Sequence, residues 1–209
     1  MTRLRREAFV GTVKEGDVFT EASWGSAVDA EFQGCTFIGV DLSEARVDST
    51  RFVECHFERC DLSLWKPLES VVGGCRFDDC RMLGIDWTMA KWPRVPLHAP
   101  NAFARCDLSM GTFADLDLGS VRFEECRLRD VSYRGARLSG AFFGGSDCRG
   151  ADFSGADLTA ASLAGATGLS VDPRTTKLEG ATVDAGTGVA ILEALGIILE
   201  EAAGDVPPR

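Results

Sequence analysis

Large apolar residues recur through most of this chain at intervals of five. From Phe32 they run Phe32, Phe37, Leu42, Val47, Phe52, Phe57, Leu62, Pro67, Val72, Phe77, Met82, Trp87, Trp92 and Leu97, and only Pro67 is not a conventional core residue. Two positions ahead of each lies a second, mostly small series: Ala30, Cys35, Val40, Ala45, Thr50, Cys55, Cys60, Trp65, Ser70, Cys75, Cys80, Ile85 and Ala90. A period of five is neither the alternation of a strand nor the 3.6-residue recurrence of a helix, and a fixed period held this long marks a repeat architecture. Each repeat offers one large and one small side chain to a shared core that no repeat could bury alone.

After Leu97 the frame slips by one and resumes as Phe103, Leu108, Phe113, Leu118, Phe123, Leu128, Tyr133, Leu138, Phe143, Cys148, Phe153, Leu158 and Leu163. The slip coincides with WPRVPLHAPN, where Pro93, Pro96 and Pro100 each lack an amide donor, so hydrogen-bonded coils cannot hold all three. An external loop is therefore predicted at about 93–101. Residues 1–28 carry no clean frame and read as an irregular N-terminal cap, in which Phe19 and Trp24 hint at a first coil; residues 29–183 form the repeat domain.

Beyond Val183 the period changes, and DAGTGVAILEALGIILEEAA predicts a short helix from about Thr187 to Leu195, stopped by Gly196. A short β-like run, Ile197 to Leu199, and a polar tail complete the C-terminal region 184–209. So short a helix does not stand alone. Its apolar residues Val189, Leu192 and Leu195, with Ile197, Ile198 and Leu199, read either as a cap over the last coil or as a symmetric homodimer interface. The length of the apolar stretch favours the dimer.

The plainest repeats, GADFSGADLTAASLAGA, resemble the A-(D/N)-L-x-x consensus of the pentapeptide-repeat family, and the resemblance covers residues 30 to 183. It implies an all-β fold, a right-handed quadrilateral β-helix, followed here by the short C-terminal helix. Four pentapeptides then make one square coil, and residues 20 apart stack at the ~4.8 Å spacing of neighbouring strands. The sequence agrees with that register: Cys35, Cys55 and Cys75 fall in one column, Cys60 and Cys80 in another, and Cys106 beside Cys126. Phe37, Phe57 and Phe77 stack likewise, as do Phe113, Tyr133 and Phe153, so the core is filled rather than a channel.

Composition narrows the chemistry. The formal charge of −10 argues against direct nucleic-acid binding, which calls for a basic surface. No apolar run has the length of a membrane span, and the start, MTRLRREAFVGTVKEG, has no apolar signal core, so a cytoplasmic protein with reduced thiols is expected. Cysteine spacings of five and 20 are not those of a zinc site. No nucleophile elbow, P-loop or dinucleotide fingerprint occurs, and neither an enzyme nor a cofactor is expected. His56 and His98 read as solvated side chains, His98 with the alternative of a loop contact.

Two further segments resemble a narrower group. CRMLGIDWTMAKWP, the proline-containing excursion and FARCDLS are similar to the albicidin-immunity proteins. GLSVDPRTTKLEGATVDAGTGVAILEALGI is similar to the ends of microcin-immunity, Qnr quinolone-resistance and mycobacterial fluoroquinolone-resistance proteins. The resemblance implies an acidic, DNA-mimicking homodimer that binds DNA gyrase or topoisomerase IV and relieves poisoning by an inhibitor. Loop residues Trp92, Pro93, Arg94, Val95, Pro96, Leu97 and His98 become partner contacts, since exposed loops on rigid scaffolds carry recognition. The acidic surface would comprise Asp41, Glu58, Asp61, Asp78, Asp107, Asp115, Asp117, Glu124 and Glu125. Each Asp has an alternative role, because Asp before the central residue belongs to the consensus and can bond backbone at a corner. The alternative function is a non-catalytic scaffold for an unrelated protein.

Overall fold

The computed structural model describes residues 7–20, 24–92 and 99–198. Fourteen short strands follow one another: β1 Glu7–Val10, β2 Val13–Glu15, β3 Val18–Thr20, β4 Trp24–Val28, β5 Glu31–Gln33, β6 Thr36–Ile38, β7 Arg46–Asp48, β8 Arg51–Val53, β9 His56–Glu58, β10 Lys66–Leu68, β11 Val71–Gly73, β12 Arg76–Asp78, β13 Ala102–Ala104 and β14 Arg122–Glu124. All pairs are parallel. They form three sheets, β1-β4-β7-β10, β11-β8-β5-β2 and β14-β13-β12-β9-β6-β3. The fourth face is a column of single bridges, Asp41 to Asp61 to Arg81 to Asp107 to Arg127 to Asp147. The chain is a right-handed, four-sided parallel β-solenoid.

The register follows the core. Phe32 pairs with Phe52, Phe37 with Phe57 and Phe57 with Phe77, each 20 residues apart, and Phe77 pairs with Phe103. That last pair sits in the coil where Cys80 meets Cys106, 26 positions on, so the interruption adds six residues to one coil. Phe19, Phe37, Phe57, Phe77, Phe103, Phe123 and Phe143 then form one ladder of rings, with centroids 4.6 to 5.2 Å apart. A second ladder runs Trp87, Phe113, Tyr133 and Phe153. Tyr133 is fully buried and its hydroxyl has no hydrogen-bond partner among the described residues. Tyr133→Phe removes that burden and keeps the ring, so a stabilisation of about 1 kcal/mol is expected in urea unfolding; a loss of stability would show that the hydroxyl is satisfied.

The small inward positions serve the backbone as well as the packing. Cys55 Sγ donates to the Phe32 carbonyl at 3.2 Å and to that of Val53 at 3.5 Å, and Cys60, Cys75, Cys80, Cys106 and Cys126 repeat the geometry. Ser70 and Ser146 substitute a hydroxyl. Asn101 does so with an amide, which donates to the Val72 carbonyl and accepts from the Cys75 N–H. All eight cysteines are buried and unpaired. Burial pushes the Cys148 thiol up to about 12, which keeps it neutral.

Two segments differ from the expectations. Residues read as an irregular cap form β1 to β3, regular strands of a first coil whose register is 18 rather than 20: Phe9 meets Ala27 and Phe19 meets Phe37. The shorter coil hides the frame, because its members do not align with those downstream. At the other end α1 spans Ala185–Ala194, two residues ahead of the expected start, because Asp184 accepts from the Thr187 N–H and caps it. Gly196 follows with φ +80°, the left-handed conformation of a helix stop. Ile197 and Ile198 pair with no strand among the described residues.

Candidate partner-binding surface

The corners of the coils decide where charge can sit. Nearly every fifth residue has positive φ there, a conformation costing L-residues about 1–2 kcal/mol and tolerated best by Gly, Asn and Asp. Among the described residues fifteen that are not glycine adopt it, and eight of these are acidic: Asp29, Glu44, Glu54, Glu69, Asp79, Asp115, Glu125 and Asp130. About a quarter of the chain's 32 acidic residues therefore sit along the edges of the rod.

The flat faces are different. Acids and basic residues alternate there down columns one coil apart: Arg127 lies 2.8 Å from Asp107, Arg137 3.7 Å from Asp117 and Lys177 3.3 Å from Asp157, while Arg129 reaches across to Asp147 at 2.7 Å. The same aspartates also hold turns. Asp41, Asp61, Asp107, Asp117 and Asp157 each accept the N–H two residues on. Both roles of the consensus Asp thus coexist.

Each residue of the expected acidic surface has a definite place. Asp41 and Asp61 are bridged neighbours, with Arg81 next in the column and 4.0 Å from Asp61. Glu58 pairs with Arg59, and Glu124 with Arg122 at 3.7 Å. Asp115 and Glu125 are exposed corners. Asp78 does not face solvent: it is 5% exposed and is gripped by His56, Arg76 and Arg105. The Asp117 and Asp157 column is interrupted by Arg137, which bridges both. Acidic rows are consequently short.

Burial alone would raise the Asp78 and Asp107 carboxyls, but hydrogen bonds from Arg76 and His56 to the first, and from Ser109 and Arg127 to the second, outweigh it and hold both below the usual range. Arg149, with Arg129 behind it, lowers Asp147 further, and Thr159 and Lys177 bring Asp157 to about 2. A carboxyl whose folded pKa lies below its unfolded value, roughly 3.9, stabilises the fold above that value and loses the contribution as pH falls. Stability should be flat from about pH 7 to 5 and fall between about pH 4 and 2. Urea midpoints across that range test it; equal midpoints at pH 3 and 7 would contradict it.

Around the interruption, Trp87 opens a single 3-10 turn, Trp87–Met89, capped by Asp86. Trp92 is half-buried, its Nε1 donating to the Trp87 carbonyl at 2.9 Å. Pro93, Arg94, Val95, Pro96, Leu97 and His98 lie outside the described residues. The chain returns at Ala99, and Asn101 is already back in the core. Beside Trp92 a cavity of about 720 Å³ opens between coils, lined by Lys91, Trp92, Asp115, Leu116, Asp117, Gly135 and Arg137. Sequence reasoning missed Lys91, Leu116 and Arg137, since nothing in their types signals an opening.

At the C-terminal end Val189, Leu192, Leu195, Ile197 and Ile198 are all exposed, Ile198 by 87%, and no residue of α1 is buried. Leu199 lies outside the described residues. Five apolar side chains on one short terminal segment are an uncovered patch of the kind that marks an interaction site. Among the described residues no cluster of three or more His, Cys, Asp or Glu could hold a metal ion. No helix there is long and apolar enough to cross a membrane.

Comparison with protein families matches residues 28–63 and 134–167 to the family described as pentapeptide repeats, in eight copies. Among solved structures the chain is similar to a trypsin-treated variant of QnrB1, described as a plasmid-mediated fluoroquinolone resistance protein. The match is at 21% identity with a TM-score of 0.78, covering 94% of this chain and 100% of that one. A second trypsin-treated QnrB1 variant matches at 20% identity and TM-score 0.69, over 93% and 100%. No curated protein sequence matches. At these identities the likeness to the solved structures establishes the fold.

Proposed function

Because the chain is a pentapeptide-repeat protein, we propose that it acts as a topoisomerase-protection protein, binding DNA gyrase as a dimer and relieving poisoning by a gyrase inhibitor. The observation that carries this reading is the charge arrangement: a rod of net charge −10 that carries eight acidic residues at its corners. A basic DNA-binding surface attracts such a rod electrostatically. Fold likeness to a fluoroquinolone resistance protein over nearly the whole chain, and the loop-flanking and C-terminal segments noted in the sequence, support the same reading. The uncovered apolar end supplies a dimer contact. Supercoiling and cleavage assays with quinolone and albicidin poisons test it; no rescue by the pure protein in either class would sink it.

The alternating acid and arginine columns favour a second reading, a scaffold whose faces are self-neutralised and whose acidity serves solubility. Affinity capture that returns a non-topoisomerase partner at stoichiometric level would select it.

The six-residue excess makes the interruption separable from the fold. Deleting residues 93 to 98 returns Phe77 and Phe103 to the common spacing of 20, so the circular dichroism spectrum and melting temperature should be retained. Protection should fall by tenfold or more if the loop makes partner contacts. Undiminished protection would remove the loop from the mechanism.

A further inference from the structure

Beside Trp92 the wall of the solenoid has a gap in its inter-coil ladder. Above it Lys91 N–H donates to the Ser70 carbonyl at 2.7 Å; below it Arg137 N–H donates to Leu116 at 2.8 Å and Leu118 N–H to Arg137 at 2.7 Å. Between them the equivalent bonds would join Asp117 N–H to Ala90 and Trp92 N–H to Asp117, and neither forms. The column of bridges breaks there as well: Val71 bridges Lys91 and Asp117 bridges Arg137, with no bridge from Lys91 to Asp117. Among the described residues, the Ala90 carbonyl, Trp92 N–H, and Asp117 N–H and carbonyl have no other partner.

The same gap uncovers core positions. Leu116 is half-exposed, whereas Ala90 and Ala136, its neighbours in the inward series, are buried; Trp92 is half-exposed between buried Val72 and Leu118. The result is the 720 Å³ cavity, within the ~300–1,000 Å³ of ligand sites. These four groups are two donors and two acceptors arranged along two strands as a third strand would meet them.

We propose that this slot binds an extended peptide segment of a protein partner by strand insertion. Three residues laid parallel to the wall satisfy every open group. The middle residue donates to Ala90 and accepts from Trp92; the one before it accepts from Asp117 N–H, and the one after donates to the Asp117 carbonyl. Strand alternation turns the outer two inward onto Trp92 and Leu116 and the middle one outward between Lys91 and Asp117. The segment is therefore apolar, polar, apolar. Lys91 and Arg137 balance Asp115 and Asp117 on the lips, which suits an uncharged segment rather than an anion or cation.

The inference rests on the reading that a protein partner is bound, but its test needs no gyrase, so the two can fail separately. Amide exchange followed by NMR on the full chain, with and without acetyl-Val-Thr-Val-amide, reads the slot directly. In the free protein the Trp92 and Asp117 amides should exchange at least tenfold faster than Leu118 and Arg137, and the peptide should slow them saturably. The same peptide should shield Trp92, half-buried where the other three indoles are fully buried, from acrylamide quenching.

Slow exchange in the free protein would mean the chain fills its own slot, and overturns the proposal. So would the absence of saturable protection, or equal protection by the analogue N-methylated at Thr and the second Val, which would reduce the site to apolar contact. Leu116→Lys should abolish binding while keeping the melting transition; if that variant unfolds, Leu116→Gln serves. Full binding by a folded variant would also overturn it.

Discussion

Phe103→Ala is expected to cost about 3–5 kcal/mol, the range for truncating a buried aromatic ring. Phe103 is 1% exposed and stacks on Phe77 at 4.9 Å and on Phe123 at 5.2 Å, with Trp87 and Phe113 against its edges. It also joins the coil before the interruption to the coil after it, where the neighbouring wall has lost its ladder bonds. In a solenoid each coil is held only by its neighbours, so a cavity at the weakest joint should divide one unfolding transition into two. Phe143→Ala removes a similar ring where the ladder is continuous, and should lower the urea midpoint without that division. A loss below about 1 kcal/mol at Phe103 would mean that the joint is held by something other than the ring stack.

Leu195→Asp is expected to turn a dimer into a monomer. Leu195 ends α1 at 49% exposure, with Val189, Leu192, Ile197 and Ile198 exposed around it. If the patch is the dimer contact, the new carboxylate is buried against apolar side chains with no cation to pair it, a cost that exceeds what a small interface supplies. Sedimentation velocity at micromolar concentration should report half the mass, with an unchanged circular dichroism spectrum because Leu195 is half exposed and lies outside the buried core. A variant that still sediments as a dimer would place the contact elsewhere on the rod.

Much of this was legible in the sequence because the core repeats it. A large residue every five and a small one two before it dictate which side chains enter, and like residues at 20, such as Cys55 with Cys75, reveal which coils touch. The first coil was not legible because its register is 18, and a two-residue difference erases the alignment of Phe9 and Phe19 with later columns. The acidic surface was half legible. Asp107, Arg127 and Asp147 stand at intervals of 20 in the sequence, which encodes an alternating column, whereas a charge count sees arginines only as interruptions. Asp78 was misplaced because its outward strand position says nothing of the His56, Arg76 and Arg105 side chains that close over it. The slot beside Trp92 leaves no mark in residue types, since it consists of inter-coil backbone hydrogen bonds that are missing.

The left-handed corners give the rod an adjustable exterior. The Glu44, Asp115 and Asp130 side chains point into water, while the backbone N–H of each donates to a carbonyl of the next coil (Ser63, Arg134 and Arg149), so the coil fixes the backbone whatever the residue carries. Exchanging Glu44, Asp115 or Asp130 for Asn would therefore change the electric field along an edge while leaving the stacked interior untouched. At these corners, unlike on the flat faces where charged aspartates also hold turns, charge can change without touching the core, so a lineage can redraw the surface a partner meets one corner at a time, with the architecture already paid for by the core.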